Sequence, residues 1–200
     1  MADFSAADVK QLRDATGAGM MDCKRALEEA DGDREKAREI LRVKGQAGAQ
    51  KRAGRSASEG VVQSYIHANG RIGSLVEVNC ETDFVARSEE FQDFARQVAL
   101  HVAAARPEFV SEDEVPEERR QVELRIFEEQ AHDKPENVRP KIAEGRLNKW
   151  LDEIVLLRQP HVNHERFDGQ TIEQLLGELA GKVQENVVIR RFDRFEVGEE

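Results

Sequence analysis

The chain has 200 residues, enough to bury a real core in one domain or in a small domain plus a larger one. Its 40 acidic and 30 basic residues leave a formal net charge of −10, which argues against general binding to nucleic acid or anionic membrane and favours a protein partner. The N-terminal "MADFSAADVKQLRDATG" has no basic stretch leading into an apolar run, and no segment approaches the ~18 apolar residues of a membrane span, so the expected location is cytoplasmic.

Residues 1–45 read as a helical module. Ser5 is placed to cap a helix with Val9 and Leu12 on one face, and "TGAG" stops it with residues suited to left-handed backbone. A second helix from Met20 carries Cys23, Leu27 and Ala30 at three-four spacing. Asp33 caps a third with Ala37, Ile40 and Leu41 inward, and Gly45 is expected to end it. Residues 46–60 are small and basic, lack large apolar groups and read as a linker.

Residues 61–200 read as an α+β core. Two alternating strands flank Asn69-Gly70, a pair that suits a type I′ hairpin turn, and Ile72, Val76, Val78 and Cys80 share one face of the second strand. A helix from about Ser88 keeps Phe91, Phe94, Val98 and Val102 in register. Charged helices are expected over Glu117–Gln130 and Lys141–Leu157, and a capped helix carries Ile172, Leu175, Leu176 and Leu179. "NVVIRRFDRFEV" is a late strand, expected to join the hairpin's sheet.

Catalytic signatures are missing. Gly181-Lys182 lacks the earlier glycine and the following Ser or Thr of a phosphate loop, and no nucleophile elbow or dinucleotide fingerprint occurs. His161 and His164 have no third ligand nearby, and Cys23 and Cys80 fit neither a disulfide framework nor zinc spacing, so no metal or cofactor is expected. Two apolar pairs stand out at turns. Met20 and Met21 lie side by side where two helices meet, with Lys24 one turn on; they either fill the small core or form an adaptable apolar contact. In "EVNCETDFVAR" Asp83 and Phe84 follow a strand end. Either Asp83 caps the next helix with Phe84 folded beneath it, or both protrude toward a partner.

"LRDATGAGMMDCKRAL" and "EVNCETDFVAR" resemble the two signature segments of bacterial elongation factor Ts, and "IRRFDRFEVGE" resembles that family's late strand. The resemblance covers essentially the whole chain. It implies a ubiquitin-associated-like module followed by an α+β core dimerisation domain with a small antiparallel sheet. With room for one core half, as in the short forms, it implies a homodimer and a two-plus-two complex with elongation factor Tu, which is bound with GDP and without nucleotide. The implied activity is guanine nucleotide exchange in translation elongation, with no enzyme reaction. By resemblance Asp83 and Phe84, with Thr82 and Val85, approach the Mg²⁺ and phosphate region of the GTPase. Met20, Met21 and Lys24, with Leu12, meet its nucleotide-binding domain, and Val162 is a core contact, although His161 and Asn163 are less apolar than the family pattern there. Two rivals stay open: a ubiquitin-associated-like docking adaptor without exchange activity, and an RNA-binding accessory using Lys44, Lys51, Arg52 and Arg55, whose run lacks interleaved aromatics.

Overall fold

The computed structural model describes residues 4–199. Helix α1 (Ala6–Thr16) starts with a reciprocal box: the Asp8 amide donates to Ser5 Oγ at 3.3 Å, and the Ser5 amide donates to Asp8 Oδ2 at 2.7 Å. These bonds, reinforced by Arg34, hold the Asp8 carboxyl at about 2. Gly17, at φ 68°, closes the helix. Helix α2 (Met20–Glu29) follows, and Asp33 Oδ1 then accepts the amides of Glu35 and Lys36 at 3.0 and 3.1 Å to start α3 (Arg34–Arg52). Val9, Leu12, Cys23, Ala26, Leu27, Ala30 and Ala37 form the bundle core, and Ile40 and Leu41 pack against it.

Gly45 does not end α3, and the stretch expected as a linker is helical as far as Arg52. The reason lies in helix α9 (Ile172–Val183), where Gly181 sits with its missing Cβ position 3.4 Å from the Gly45 Cα. The missing side chain of Gly181 lets the two backbones come close, and Gly45 is the backbone it meets rather than a stop. Farther along, Arg52 donates to the Ala180 carbonyl at 3.0 Å.

Strands β1 (Glu59–Ile66), β2 (Ile72–Cys80) and β3 (Val188–Glu196) form one antiparallel sheet in the order β1-β2-β3, so the late strand does join the hairpin. The hairpin turn differs from the expected type I′ form. Gly70 is at φ 68°, but Asn69 is outside the positive-φ region. The Gly70 amide bonds the His67 carbonyl at 2.7 Å, and the His67 amide bonds the Ile72 carbonyl at 2.9 Å, which gives a longer connection with one left-handed residue. Along β2 the side chains of Ser74, Val76, Val78 and Cys80 are buried while Leu75 faces out. Ser74 Oγ donates to the Ala99 carbonyl of α5 (Glu89–Ala105) at 2.7 Å, and Phe91, Phe94, Val98 and Val102 lie on the buried side of that helix.

Helices α6 (Glu117–Gln130) and α7 (Arg139–Ile154) pack as an antiparallel pair. Arg119 near the start of α6 lies 5.5 Å from the Trp150 ring centroid near the end of α7, and Arg146 donates to Gln130 Oε1 at 2.8 Å toward the other end. Helix α7 stops earlier than expected, at Ile154, and a single 3-10 turn covers Leu156–Arg158. Val115, Leu151, Ile154 and Val155 form a small core here, with Phe109, Leu147 and Trp150 against it. By internal packing the chain forms two compact units. One comprises the chain up to Val61, Val78–Phe94 and Gln174–Val188; the other comprises Val62–Glu77, Ala95–Glu173 and the chain from Ile189.

Candidate functional site

The chain leaves β2 at Cys80 and makes a corner into α4 (Asp83–Ala86), a single helical turn. Thr82, not Asp83, caps that turn: its Oγ1 accepts the Val85 amide at 3.3 Å. Inside, Val85 is 7% exposed and Ala86 is buried. Outside, the Phe84 side chain is 82% exposed, which overturns the reading in which it folds beneath the helix. Asp83 pairs with Arg87 at 2.9 Å, both largely in water.

The corner is held from the segment between α9 and β3. Glu185 Oε2 accepts the Glu81 and Thr82 amides at 3.0 and 3.1 Å, and Oε1 accepts the Thr82 hydroxyl at 2.6 Å. Glu81 Oε1 in turn accepts the Asn186 amide at 2.6 Å and the Arg55 guanidinium at 3.4 Å. Cys80 lies buried under the corner and its thiol donates to the Thr82 carbonyl at 3.2 Å. Burial, with Glu185 nearby, pushes that thiol up to about 11, so it stays protonated and inert at neutral pH.

In the helical module Met20 is 45% and Met21 65% exposed, so neither fills the core. Lys24 lies beside them, one turn on, and pairs loosely with Glu28 at 3.7 Å. Leu12, expected at the contact surface, is 3% exposed and belongs to the bundle core, where it supports the helices and presents no face to a partner. The basic run is largely committed inside the chain: Lys44 bonds Glu29 at 2.5 Å, Arg52 bonds Ala180 and Gln184, and Arg55 bonds Glu81. That leaves little of it for a phosphate backbone.

Val162 is half-buried, in the loop before α8 (His164–Phe167) that is held by two buried histidines. His101 Nδ1 accepts the Val162 amide at 3.2 Å, and His161 Nδ1 accepts the Asn163 amide at 3.0 Å. Each ring therefore carries its proton on Nε2, which donates to Gln159 Oε1 at 2.9 Å from His101 and to the Gln97 carbonyl at 3.1 Å from His161. Both rings are neutral; burial outweighs the Gln159 bond and brings His101 down to about 4, and lowers His161 as well. The expected lack of apolar character at His161 is thus met by full burial against Phe167, at 4.3 Å between ring centroids. Among the described residues no three His, Cys, Asp or Glu side chains are grouped to hold a metal ion, and no helix is long and apolar enough to cross a membrane.

Residues 35–199 match the family model described as Elongation factor TS. The chain belongs to the elongation factor Ts family. It is 56% identical over 193 residues to Elongation factor Ts of Carboxydothermus hydrogenoformans, covering 96% of this chain and 88% of that one. With Elongation factor Ts of Caldanaerobacter subterraneus the identity is 54% over 198 residues, 98% of each chain. With that of Solidesulfovibrio magneticus it is 53% over 202 residues, with both chains fully covered. A role in translation elongation and the α+β fold with its small antiparallel sheet follow from membership.

Set against the elongation factor Ts signature, the structure brings Thr82, Asp83, Phe84 and Val85 onto one corner: the first three are exposed, Thr82 also capping the turn, and Val85 is buried beneath. Glu185 and Asn186 escaped sequence reasoning, and Arg55 entered it only as part of the basic run. "QENVV" reads as the approach to a strand, and nothing in it signals partners more than a hundred positions away.

Proposed function

We propose that this chain is a guanine nucleotide exchange factor for elongation factor Tu, acting in the cytoplasm during translation elongation. It speeds GDP release and makes or breaks no covalent bond. The observation that carries this reading is the Phe84 ring, exposed on a corner whose neighbours are anchored. An exposed phenyl gains about 1.5–3 kcal/mol when it fills an apolar pocket. Phe84 enters such a pocket between helices of the GTPase, and Asp83 engages polar groups near its Mg²⁺ and phosphate site. The Asp83–Arg87 pair lies in water and is worth under about 1 kcal/mol, so Asp83 is released to new partners at little cost.

The gain is transmitted by linkage: whatever factor the chain takes from GDP affinity, GDP takes from the affinity of the chain, at about 1.4 kcal/mol per decade. The chain therefore binds both GDP-bound and nucleotide-free elongation factor Tu. Met20, Met21 and Lys24 supply a second contact, on the nucleotide-binding domain, and Val162 a third. Thr82 and Val85 take part by holding the corner. A homodimer giving a two-plus-two complex is supported by the outward face of the sheet, where Val62, Ile66, Leu75, Phe195 and Val197 are exposed and want cover.

The test is stopped-flow release of a fluorescent GDP analogue from elongation factor Tu. The wild type accelerates release more than about tenfold, a release barrier lowered by about 1.4 kcal/mol, and folded Phe84→Ala largely fails to. No acceleration by the wild type would leave a docking adaptor as the remaining reading. Equal acceleration by both would place the wedge elsewhere.

A further inference from the structure

Beyond the residues that face a partner, the corner poses a question of support. Helix α4 is one turn long and cannot sustain itself, because a first turn fixes several dihedrals for one hydrogen bond. Its only exposed apolar group is a phenyl ring that water would drive inward if the backbone were free to move. Some structure must hold the turn open. The residues that do so lie in neither signature segment.

Three facts converge on the segment after α9. Gln184 adopts φ 59°, a left-handed conformation uncommon for a residue with a Cβ, and this bend aims Glu185 at the corner. Both carboxylate oxygens of Glu185 are used, two amides on Oε2 and the Thr82 hydroxyl on Oε1. The Thr82 hydroxyl gives its proton to Glu185 while its oxygen accepts the Val85 amide, so Glu185 holds in place the side chain that caps α4. Asn186, buried, closes the arrangement in the opposite direction: its amide donates to Glu81, and its side chain donates to the Arg55 and Ala53 carbonyls at 2.8 and 3.4 Å. Two consecutive residues thus clasp two others, each pair taking backbone donors from the other.

We propose that Glu185 is a positioning residue for nucleotide exchange, holding the Glu81–Thr82 corner so that Phe84 stays outside in the orientation the partner meets, with Asn186 securing Glu81 behind it. This rests on the reading of Phe84 as the wedge. Glu185 itself touches no partner, since its oxygens are spent within the chain. Its effect on exchange runs entirely through Phe84, which sets it apart from a residue that merely stabilises the fold.

The experiment is a double-mutant cycle with a separate structural readout. Wild type, Glu185→Ala, Phe84→Ala and the double variant are compared for release of a fluorescent GDP analogue from elongation factor Tu, and amide hydrogen exchange is followed at Val85, Ala86, Cys23 and Leu27. Glu185→Ala is expected to speed exchange of the Val85 and Ala86 amides about tenfold with Cys23 and Leu27 unchanged, and to lower GDP-release stimulation about tenfold. In the Phe84→Ala background it is expected to change stimulation by less than about twofold. Glu185→Gln keeps an acceptor for the two amides and is expected to fall between wild type and Glu185→Ala. If Glu185→Ala does not fold, Thr82→Val, which removes only the hydroxyl, is expected to loosen the same amides. Unchanged corner amides, or equal losses in both backgrounds, would overturn the proposal. A wild type that does not stimulate release, with a corner that still loosens in Glu185→Ala, would instead overturn the reading of Phe84 and with it the role of the clasp in exchange.

Discussion

Phe84 stays in water because its neighbours are committed elsewhere: Thr82 is bonded to Glu185, while Val85 and Ala86 are buried. The two positions should therefore respond oppositely to truncation. Phe84→Ala is expected to shift unfolding free energy by less than about 0.5 kcal/mol, whereas Val85→Ala is expected to cost roughly 1–3 kcal/mol, both read from urea unfolding curves. His101 gives a second residue-scale prediction. Its ring is neutral in the fold, with a pKa of about 4 against an ordinary 6.5, so the unfolded chain binds more protons between those values. Stability contributed by the neutral ring is fully present above pH 6.5 and is lost as pH falls toward 4, amounting to about 3 kcal/mol. His101→Asn, which keeps an acceptor for the Val162 amide, is expected to flatten the slope between pH 6.5 and 4 in denaturation curves relative to wild type. An unchanged slope would mean that other groups carry it.

At the scale of elements, the helix starts were legible in the sequence. Ser5 and Asp33 cap where short side-chain acceptors precede apolar periodicity, and the alternation of Val76, Val78 and Cys80 marked the buried face of β2. Glycine was ambiguous because its two uses look alike in one dimension. Gly17 takes φ 68° and ends a helix, but Gly45 lies inside one, with Gly181 packed against its backbone. The pair makes an asymmetric prediction. A Cβ at Gly45 meets nothing within 4 Å, so Gly45→Ala is expected to stabilise by about 0.5–1 kcal/mol through helix propensity. Gly181→Leu must push against the Gly45 backbone and is expected to cost roughly 1–3 kcal/mol. Thermal unfolding of both variants checks this. The corner at Thr82 was half-legible: its chemistry stood out, but whether Phe84 faced in or out depended on Glu185, whose proximity is a property of the fold alone.

For the whole molecule, the composition pointed to a protein partner, and the family match carries that to translation elongation. The proposed homodimer would bury the outward side of the sheet. The outward side of the sheet borders a cleft of about 410 Å³ lined by Ile66, Leu75, Phe195 and Val197 among others, an apolar area that a second copy would cover. Phe195→Glu is expected to yield a monomer in sedimentation velocity with the fold intact by circular dichroism. A dimer that survives the substitution would place the interface elsewhere.

In the proposed mechanism Phe84 converts binding into weaker nucleotide affinity. The most direct measurement is calorimetric: the affinity of the chain for elongation factor Tu without nucleotide and with GDP, for wild type and for Phe84→Ala. The ratio of the two affinities is the coupling factor, and linkage makes it equal to the loss of GDP affinity. The expected ratio is above about ten for the wild type, or about 1.4 kcal/mol, falling toward one in Phe84→Ala while binding through Met20, Met21 and Lys24 persists. A variant that keeps the full ratio would contradict that mechanism.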